Sequence, residues 1–235
     1  MFKSFLFLSL LVFLANCSYN GIDVSVWQGD NIDFKKVKAD GKNFVIIRAG
    51  CGSNVDKYFE SNYKKAKAAG MNVGVYWYAK AMSEKASTEE ANRVLKAISG
   101  KQLEYPVYYD IEQKEILNKG KTFCSTIATN FCTIMEKNKK FCGIYASKSY
   151  FDNYFTDTVK KKYSIWVAQY NSKCTYTGSY GMWQKSSSGR VSGISGNVDL
   201  DISYQNFPEI IKKAHLFSLD ELSKLYQNHH VQLYT

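Results

Sequence analysis

Residues 43–79, NFVIIRAGCGSNVDKYFESNYKKAKAAGMNVGVYWYA, contain a complete strand–helix–strand unit. Residues 43–49 and 72–79 are short runs rich in β-branched and aromatic residues, which are typical of buried strands. Residues 58–69 have the amphipathic spacing of a helix, and Gly70 stands where a helix is expected to end. Two apolar strands joined by a helix predict a parallel pair with a right-handed crossover.

The same unit recurs along the chain. Five strand–helix units are predicted, followed by three strands with no helix between them, and eight strands in this pattern fit a closed barrel. We therefore predict an α/β fold, an irregular TIM-like barrel with a C-terminal helical extension. A Ser/Gly-rich loop is expected at 185–196. The predicted strands are 21–26, 43–49, 72–79, 106–112, 141–146, 163–169, 180–184 and 198–204, and the helices are 33–39, 58–69, 87–99, 122–138 and 148–155.

The first residues have the pattern of a secretory signal. Lys3 precedes an apolar run at 5–14, and Ala15 and Cys17 are small residues at the −3 and −1 positions of a cleavage site. An uncleaved membrane anchor is the alternative interpretation. The predicted organisation is a signal peptide at 1–17, a barrel at 18–207 and an extension at 208–235. The destination is secretion or a lysosomal or phagosomal compartment, with no stable membrane insertion after cleavage.

Cysteine and histidine usage narrows the chemistry. Five cysteines follow the signal, so an exported chain would keep one thiol without an intramolecular partner, and the pairing stays open. No zinc-type Cys/His spacing and no glycine-rich phosphate loop occurs in the sequence. The three histidines all lie at or beyond His215. We therefore expect no metal, no cofactor and no histidine-based catalysis.

The chain is basic, with 31 Lys and Arg against 21 Asp and Glu and a net charge of +10. This charge suits an anionic partner such as a bacterial surface, although solubility alone would also explain it. The lysines are spread along the chain and form no stripe interleaved with aromatics, so nucleic acid is not the expected partner. We expect the protein to be a monomer.

Five acidic residues interrupt apolar strands: Asp23 in the first, Asp110 and Glu112 in the fourth, and Asp199 and Asp201 in the eighth. Buried carboxylates are costly unless they are paired or used. The active site of a βα-barrel lies at the carboxyl ends of its strands, and closure places the eighth strand beside the first. The five acids are therefore expected to converge in one bowl.

Crowded carboxylates favour acid–base chemistry. Side chains of Asp110 and Glu112 point to the same face, with their backbones roughly 6.6 Å apart. Like charges raise at least one pKa, and a carboxylic acid kept protonated near neutral pH can protonate a leaving oxygen. A glycosidase requires such a donor and a second carboxylate. The competing interpretation is that these acids cap loops or pair with Arg48 and nearby lysines.

Aromatic side chains near the strand ends favour a sugar ligand, because they stack on pyranose rings. Alternation along each strand implies that about half of them belong to the ordinary core. Core is the better interpretation for Trp77 and Tyr109. The aromatics in or next to strands are Trp27, Tyr76, Trp77, Tyr78, Tyr108, Tyr109, Tyr145, Trp166 and Trp183.

Seven segments, spread in order from Gly21 to Tyr204, carry a family likeness. They are GIDVSVWQG (21–29), IDFKKVKADGKNFVIIRAG (32–50), GVYWYA (74–79), PVYYDIE (106–112), WVAQY (166–170), MWQ (182–184) and GNVDLDISY (196–204). Together they resemble glycoside hydrolase family 25, the Ch-type lysozymes. The resemblance implies hydrolysis of the β-1,4 bond between N-acetylmuramic acid and N-acetylglucosamine in bacterial peptidoglycan.

The resemblance also implies roles for individual residues. Glu112 matches the general acid/base, and Asp110 matches the residue that orients the acetamido group of the substrate. Asp23 and Asp199 match supporting acids of the catalytic bowl. Retention without a covalent enzyme intermediate is expected, because the acetamido group can act as the nucleophile. The expected substrate-binding residues are Tyr78, Tyr108, Trp166, Gln184 and Asp201. Because Asp199 and Asp201 lie on the same strand, it stays open which of the two is the main acid of that strand, and Asp199 is the chosen match.

Three functional hypotheses remain at this point. The first is an exported muramidase that acts on bacteria in digestion or defence. The second is a glycosidase for another N-acetylated glycan such as chitin, which the same acids and aromatics would serve. The third is a non-catalytic glycan-binding barrel. The four acids expected of the family argue against the third, since a binding module has no need for a proton donor.

Overall fold

The computed structural model describes residues 18–214. The predicted signal peptide and residues 215–235 of the predicted extension lie outside this range. The strands are β1 (Tyr19–Val24), β2 (Phe44–Cys51), β3 (Asn54–Val55), β4 (Asn72–Tyr78), β5 (Val107–Asp110), β6 (Cys142–Ser147), β7 (Ser164–Ala168), β8 (Met182–Gly189) and β9 (Val198–Ser203). The helices are α1 (Phe34–Ala39), α2 (Phe59–Ala68), α3 (Glu84–Ala97), α4 (Lys114–Leu117), α5 (Gly120–Lys137), α6 (Lys148–Tyr154), α7 (Asp157–Lys162) and α8 (Phe207–Ala214), with a 3₁₀ turn at Val26–Gln28.

Eight strands form the predicted closed α/β barrel. Their order is β1-β9-β8-β7-β6-β5-β4-β2, and β1 also pairs with β2, which closes the sheet. The two-residue strand β3 adds to the edge of β2 as a short hairpin beyond the barrel. None of the helices between residues 18 and 214 is long and apolar enough to cross a membrane.

The last barrel strand departs from the expected parallel sheet. Strand β9 runs antiparallel to both β8 and β1, whereas the other barrel pairs are parallel. Residues 190–197 connect β8 to β9 without a crossover helix, and so short a connection permits only antiparallel pairing. The amino-terminal end of β9 therefore lies at the same end of the barrel as the carboxyl ends of the parallel strands.

Two sequence-based boundaries were wrong. The segment 185–196 was expected to be a loop, but β8 continues to Gly189 and pairs with β9 along that length. The third helix was expected to begin at Ser87, but Ser83 is its N-cap and accepts a hydrogen bond from the Ala86 amide. Ser83 has the same favourable hydroxyl as Ser87 and lies one turn earlier.

Side chains of the strands alternate between two apolar layers. The outer layer, between sheet and helices, holds Trp77 and Tyr109, both completely buried, and the Tyr109 ring stacks on Phe131 of α5 at 4.0 Å. The prediction that these two aromatics belong to the core is confirmed. The inner layer fills the barrel and includes Tyr108 and Trp166, whose ring centroids are 5.1 Å apart.

Aromatic rings seal the end of the barrel at which the parallel strands begin. Phe44, the first residue of β2, stacks on Tyr105 at 4.2 Å, and Phe207 of α8 packs on Tyr105 at 5.3 Å. Ile210 and Ile211 of α8 are also buried in this layer. A Cβ on Gly21 would lie 2.3 Å from the Phe44 ring, so only glycine leaves room for it. With this base closed, the opposite end is left for a site.

Candidate active site

An open cavity of about 270 Å³ lies at the carboxyl ends of the parallel strands. Four of the five strand acids reach it, namely Asp23, Asp110, Glu112 and Asp199. Tyr78, Trp166 and Gln184, three of the five expected substrate-binding residues, also line it. The remaining lining residues are Ser25, Trp27, Gln28, Arg48, Tyr76, Tyr145 and Tyr170.

Two residues expected to contact substrate lie beneath the cavity instead of in its lining. Tyr108 is completely buried in the inner layer of the barrel. Asp201 is 1% exposed, and its Oδ1 accepts a hydrogen bond from Trp166 Nε1 at 2.9 Å. The antiparallel direction of β9 explains the position of Asp201. This strand runs from the mouth towards the base, so Asp201, two residues after Asp199, lies deeper in the barrel.

The end of β5 presents its two acids at different depths. Asp110 is the last residue of the strand and is 3% exposed, while Glu112 lies beyond the strand end and is half-buried. Backbone hydrogen bonds from Ala79 N to Asp110 O (2.9 Å) and from Ile111 N to Tyr145 O (3.1 Å) hold this segment between its neighbours. Asp110 Oδ1 is buried and receives no hydrogen bond from residues 18–214.

The surroundings of these two acids favour their neutral forms. Burial raises the pKa of Glu112, and the Asp199 carboxylate raises it further. Burial also raises the pKa of Asp110 well above its usual range, and Glu112 adds to this effect while Arg48 opposes it. Neither acid forms an ion pair with any lysine or arginine between residues 18 and 214. The raised pKa favours a protonated carboxyl group at Glu112, which lines the cavity and is within reach of a ligand.

Arg48 is not the partner of the site acids. Its Nε donates to Asp56 Oδ2 at 2.8 Å, and the same oxygen accepts from the backbone N–H of Val26 at 3.3 Å. The pair fastens the loop after β3 to the 3₁₀ turn at the cavity rim. The alternative that the strand acids are neutralised by Arg48 is thus not what the structure contains.

Asp23 is held by an amide of fixed orientation. Gln184 Nε2 donates to Asp23 Oδ2 at 2.7 Å, while Gln184 Oε1 accepts from the hydroxyls of Tyr145 (2.8 Å) and Tyr170 (3.0 Å). The Asp23 carboxyl oxygen accepts from the amide nitrogen while the two hydroxyls donate to the amide oxygen, so the three contacts agree on one orientation of the amide. Burial raises the pKa of Asp23 well above its usual range, and Asp201 and Asp199 follow as smaller causes.

Asp199 lies directly across from Asp23 in the β1–β9 register, at the mouth. It is half-buried, and burial raises its pKa to about 6. Gly21 is opposite Asp201 in the same register. The prediction that barrel closure brings the acids of the last strand beside Asp23 is confirmed.

Sequence reasoning did not single out four lining residues as site residues: Ser25, Gln28, Arg48 and Tyr170. The first two form a capping box, because Ser25 Oγ accepts from Trp27 N at 3.3 Å and Gln28 Oε1 accepts from Ser25 N at 2.9 Å. The Ser-x-x-Gln spacing was a detectable signal for this turn. It holds Trp27, 84% exposed, at the rim of the cavity. Tyr170 follows β7 directly, where barrel sites are built.

The chemistry available in this cavity is proton transfer by carboxyl groups beside aromatic and amide surfaces. Between residues 18 and 214, no group of three or more His, Cys, Asp or Glu side chains is placed to hold a metal ion. Raised carboxyl pKa values beside exposed rings such as Trp27 and Tyr170 (59% exposed) fit a site that binds sugar rings.

Comparisons with known proteins agree with this geometry. The chain is 33% identical over 184 residues to the autolytic lysozyme of Clostridium acetobutylicum, a match that covers 77% of this chain and 54% of that protein. The chain thus spans about half the length of this relative. It is 29% identical over 199 residues to lysozyme M1 of Streptomyces globisporus, covering 76% of this chain and 65% of the relative.

A solved structure and a family model give the same assignment. The crystal structure of the CTP1L endolysin superposes with a TM-score of 0.74 at 30% identity, covering 83% of this chain and 70% of the endolysin chain. The model of glycosyl hydrolases family 25 matches residues 22–194, which include Asp23 and both acids of the β5 end. The chain therefore belongs to family 25 of the glycosyl hydrolases.

Proposed function

We propose that this protein is a lysozyme that hydrolyses the β-1,4 bond between N-acetylmuramic acid and N-acetylglucosamine in bacterial peptidoglycan. The observation that carries the proposal is the pair of acids at the β5 end. Both have raised pKa values, and neither forms an ion pair with a lysine or arginine between residues 18 and 214. Relatives named lysozyme and endolysin support the substrate class.

Glu112 is the general acid in this proposal. Its raised pKa keeps a proton on the carboxyl group in the pH range where an ordinary glutamate is ionised. It donates that proton to the glycosidic oxygen as the bond to the sugar carbon breaks. Glu112, now a carboxylate, then removes a proton from the water that attacks the same carbon. One proton leaves Glu112 and one returns, so the enzyme is regenerated.

Asp110 acts on the acetamido group of the substrate. Asp110 lines the cavity, and its carboxyl group can accept the acetamido N–H, which orients the acetamido oxygen towards the sugar carbon. That oxygen forms the intermediate bond and water later displaces it, so the configuration is retained without a covalent enzyme intermediate. This two-carboxyl scheme with a substrate nucleophile is a known variant of glycoside hydrolysis.

Asp23 and Asp199 face the positive charge that develops on the sugar ring and stabilise it as anions. Tyr78 and Trp166 line the cavity and are proposed sugar contacts. Gln184 is 3% exposed and fully engaged with Asp23 and two tyrosines, so its contribution is to hold Asp23. The proposal also includes cleavage of a signal peptide at 1–17, export and action as a monomer.

The test is digestion of purified peptidoglycan with the full chain. Products are reduced with borohydride and identified by mass spectrometry, where a reduced muramic acid end marks a muramidase. Wild-type protein is expected to release such products, and Glu112→Gln is expected to release them about 10²–10⁴-fold more slowly. Glu115→Gln is the matched control, since Glu115 is exposed on α4 three residues away.

Three other outcomes would contradict the proposal. Release of products from chitin but not from peptidoglycan would assign another N-acetylated glycan. Binding to the wall without any product would indicate a glycan-binding barrel. Equal activity of Glu112→Gln and wild type would remove Glu112 from the role of general acid.

A further inference from the structure

Asp201 carries an oxygen with no visible hydrogen-bond donor in the centre of the barrel. The residue is 1% exposed, and its Oδ1 is satisfied by Trp166 Nε1 at 2.9 Å. Its Oδ2 is buried and receives no hydrogen bond from any N–H or O–H of residues 18–214. An ionised carboxylate left in this state costs more free energy than a satisfied one, so a hydrogen is expected near this oxygen.

The group closest to supplying one is another carboxyl. Asp23 and Asp201 lie within side-chain hydrogen-bond contact of each other. They come from adjacent antiparallel strands, in which Asp201 is opposite Gly21, two residues from Asp23. Gly21 has no side chain to separate them. Two carboxylates in contact repel each other, but a carboxylic acid and a carboxylate can share one proton.

No cation relieves this pair within residues 18–214. Arg48, the basic residue of the cavity, is bound to Asp56. The one amide at Asp23 is Gln184, whose Nε2 already donates to Asp23 Oδ2 and whose oxygen accepts from two tyrosines. A proton between the two carboxyls would satisfy Asp201 Oδ2 with a donor that the pair itself supplies.

We propose that Asp201 is a positioning residue that stays protonated: its carboxylic acid donates a hydrogen bond to the Asp23 carboxylate and holds that anion under the sugar ring. Asp23 then receives two donors, Gln184 from β8 and Asp201 from β9, and these hydrogen bonds favour its ionised form against the effect of burial. The shared proton follows from the geometry of the two carboxyl groups, and only the effect of Asp201 on catalysis rests on the proposed function.

The electrostatics of the surroundings support a retained proton. Burial is the largest cause that raises the pKa of both carboxyls, and the Asp199 carboxylate raises both further. Asp201 also raises the pKa of Asp23, whereas the hydrogen bonds from Trp166 and with Asp23 lower that of Asp201. Asp199 is the nearby acid on β9, with a pKa of about 6. The other titratable groups that act on the pair are tyrosines with raised pKa values, which are neutral near pH 7: Tyr76 from β4, Tyr108 from β5, Tyr145 from β6 and Tyr170 after β7.

Two substitutions of Asp201 distinguish a role as a hydrogen-bond donor from a role as an anion. Asp201→Asn keeps an oxygen for Trp166 and offers an N–H to Asp23, so it imitates the protonated acid. Asp201→Leu keeps the branched shape with a larger side chain, and it neither accepts nor donates a hydrogen bond. Asp157→Asn, at an exposed acid of α7, controls for the loss of one carboxyl group.

The first readout is the pH dependence of unfolding between pH 6.5 and 8.5, which requires no activity. A native pair that keeps one proton makes stability fall with pH by the slope of one proton, because the unfolded chain releases it. Asp201→Asn is expected to lower the slope by one proton, since the amide cannot ionise, while Asp110 and Glu112 keep their own contributions. Asp157→Asn is expected to leave it unchanged. An Asp201→Asn slope equal to that of wild type would overturn the proposal.

The second readout is the rate of peptidoglycan cleavage. Asp201→Asn is expected to keep kcat within about threefold of wild type, and Asp201→Leu to lose about tenfold or more in kcat, because one hydrogen bond to a charged group is lost. An asparagine variant as inactive as the leucine variant would show that Asp201 acts as an anion, against the proposal. If the leucine variant does not fold, wild type and Asp201→Asn still decide the question. Wild type without activity would refute the proposed function, whereas the unfolding slope would still report on the pair.

Discussion

The mouth and the base of the barrel are built from the same strands but carry opposite chemistry. On the inner face of β2, Phe44 lies at the base, Ile46 in the middle and Arg48 at the mouth. On β1, Gly21 makes room for the Phe44 ring at the base, and Asp23 stands two residues closer to the mouth. The base buries apolar surface, which stabilises the fold. The mouth buries carboxyl groups, which opposes folding and creates the reactive site.

The largest expected effect belongs to the mouth. Glu112→Gln should lower the rate of peptidoglycan cleavage by about 10²–10⁴-fold, because the amide cannot protonate the leaving oxygen. Its free energy of unfolding should stay equal to that of wild type or rise, since a buried ionisable group is removed. Urea unfolding and a turbidity assay on the same preparation would measure both. A variant that lost stability and activity together would break the distinction between the two ends.

The base should show the reverse pattern. Phe207→Ala removes a ring that packs on Tyr105 and Phe141, and large-to-small changes of this kind cost about 3–5 kcal/mol in unfolding free energy. Folded Phe207→Ala protein should cleave peptidoglycan with an unchanged pH profile, because the catalytic acids lie at the other end. A changed profile would show that the base helps to tune the site.

The acids of the mouth should also make stability depend on pH. The pKa of Asp199 is raised to about 6 in the folded protein, so its contribution is present below pH 4 and is lost as the pH rises through 6. After allowance for solvent screening at this half-buried residue, the effect is about 1 kcal/mol. Asp199→Asn should flatten the fall in unfolding free energy between pH 4 and 7. An equal pH dependence of unfolding in wild type and in Asp199→Asn over this interval would contradict the raised pKa.

The smallest effect is expected at the rim. Trp27 is 84% exposed, so Trp27→Ala should change the unfolding free energy by less than about 0.5 kcal/mol. If its ring stacks on a sugar, KM for the glycan should rise about threefold to tenfold at nearly constant kcat. Val55→Ala, at an exposed residue of β3, is the matched control. Equal KM values for the two variants would exclude Trp27 from glycan binding.

Much of this contrast could be predicted from the sequence. Local periodicity identified the parallel strands, because each carries its own apolar run between helices. The acids of the mouth were identified by their type, since a carboxyl group inside an apolar strand needs an explanation. Closure of the barrel then predicted that Asp199 would be a neighbour of Asp23, as the register shows.

What the sequence did not predict depends on long-range geometry. The direction of β9 follows from a short connection after an extended β8, and that direction places Asp201 below Asp23 and Asp199 at the mouth. The partner of Arg48 could not be predicted either, because Asp56 reaches it from a loop after β3. Spacing along the chain carries no information about such contacts, whereas the capping box of Ser25 and Gln28 was local and readable.

The most direct test of the account is the pKa of Glu112, measured by carbon-13 NMR of the side-chain carboxyl in wild type and in Asp199→Asn. Burial and the Asp199 carboxylate should place the wild-type pKa above the ordinary glutamate value, and removal of the Asp199 charge should lower it. A Glu112 pKa at or below the ordinary value, or one that does not respond to Asp199→Asn, would contradict the assignment of Glu112 as the proton donor.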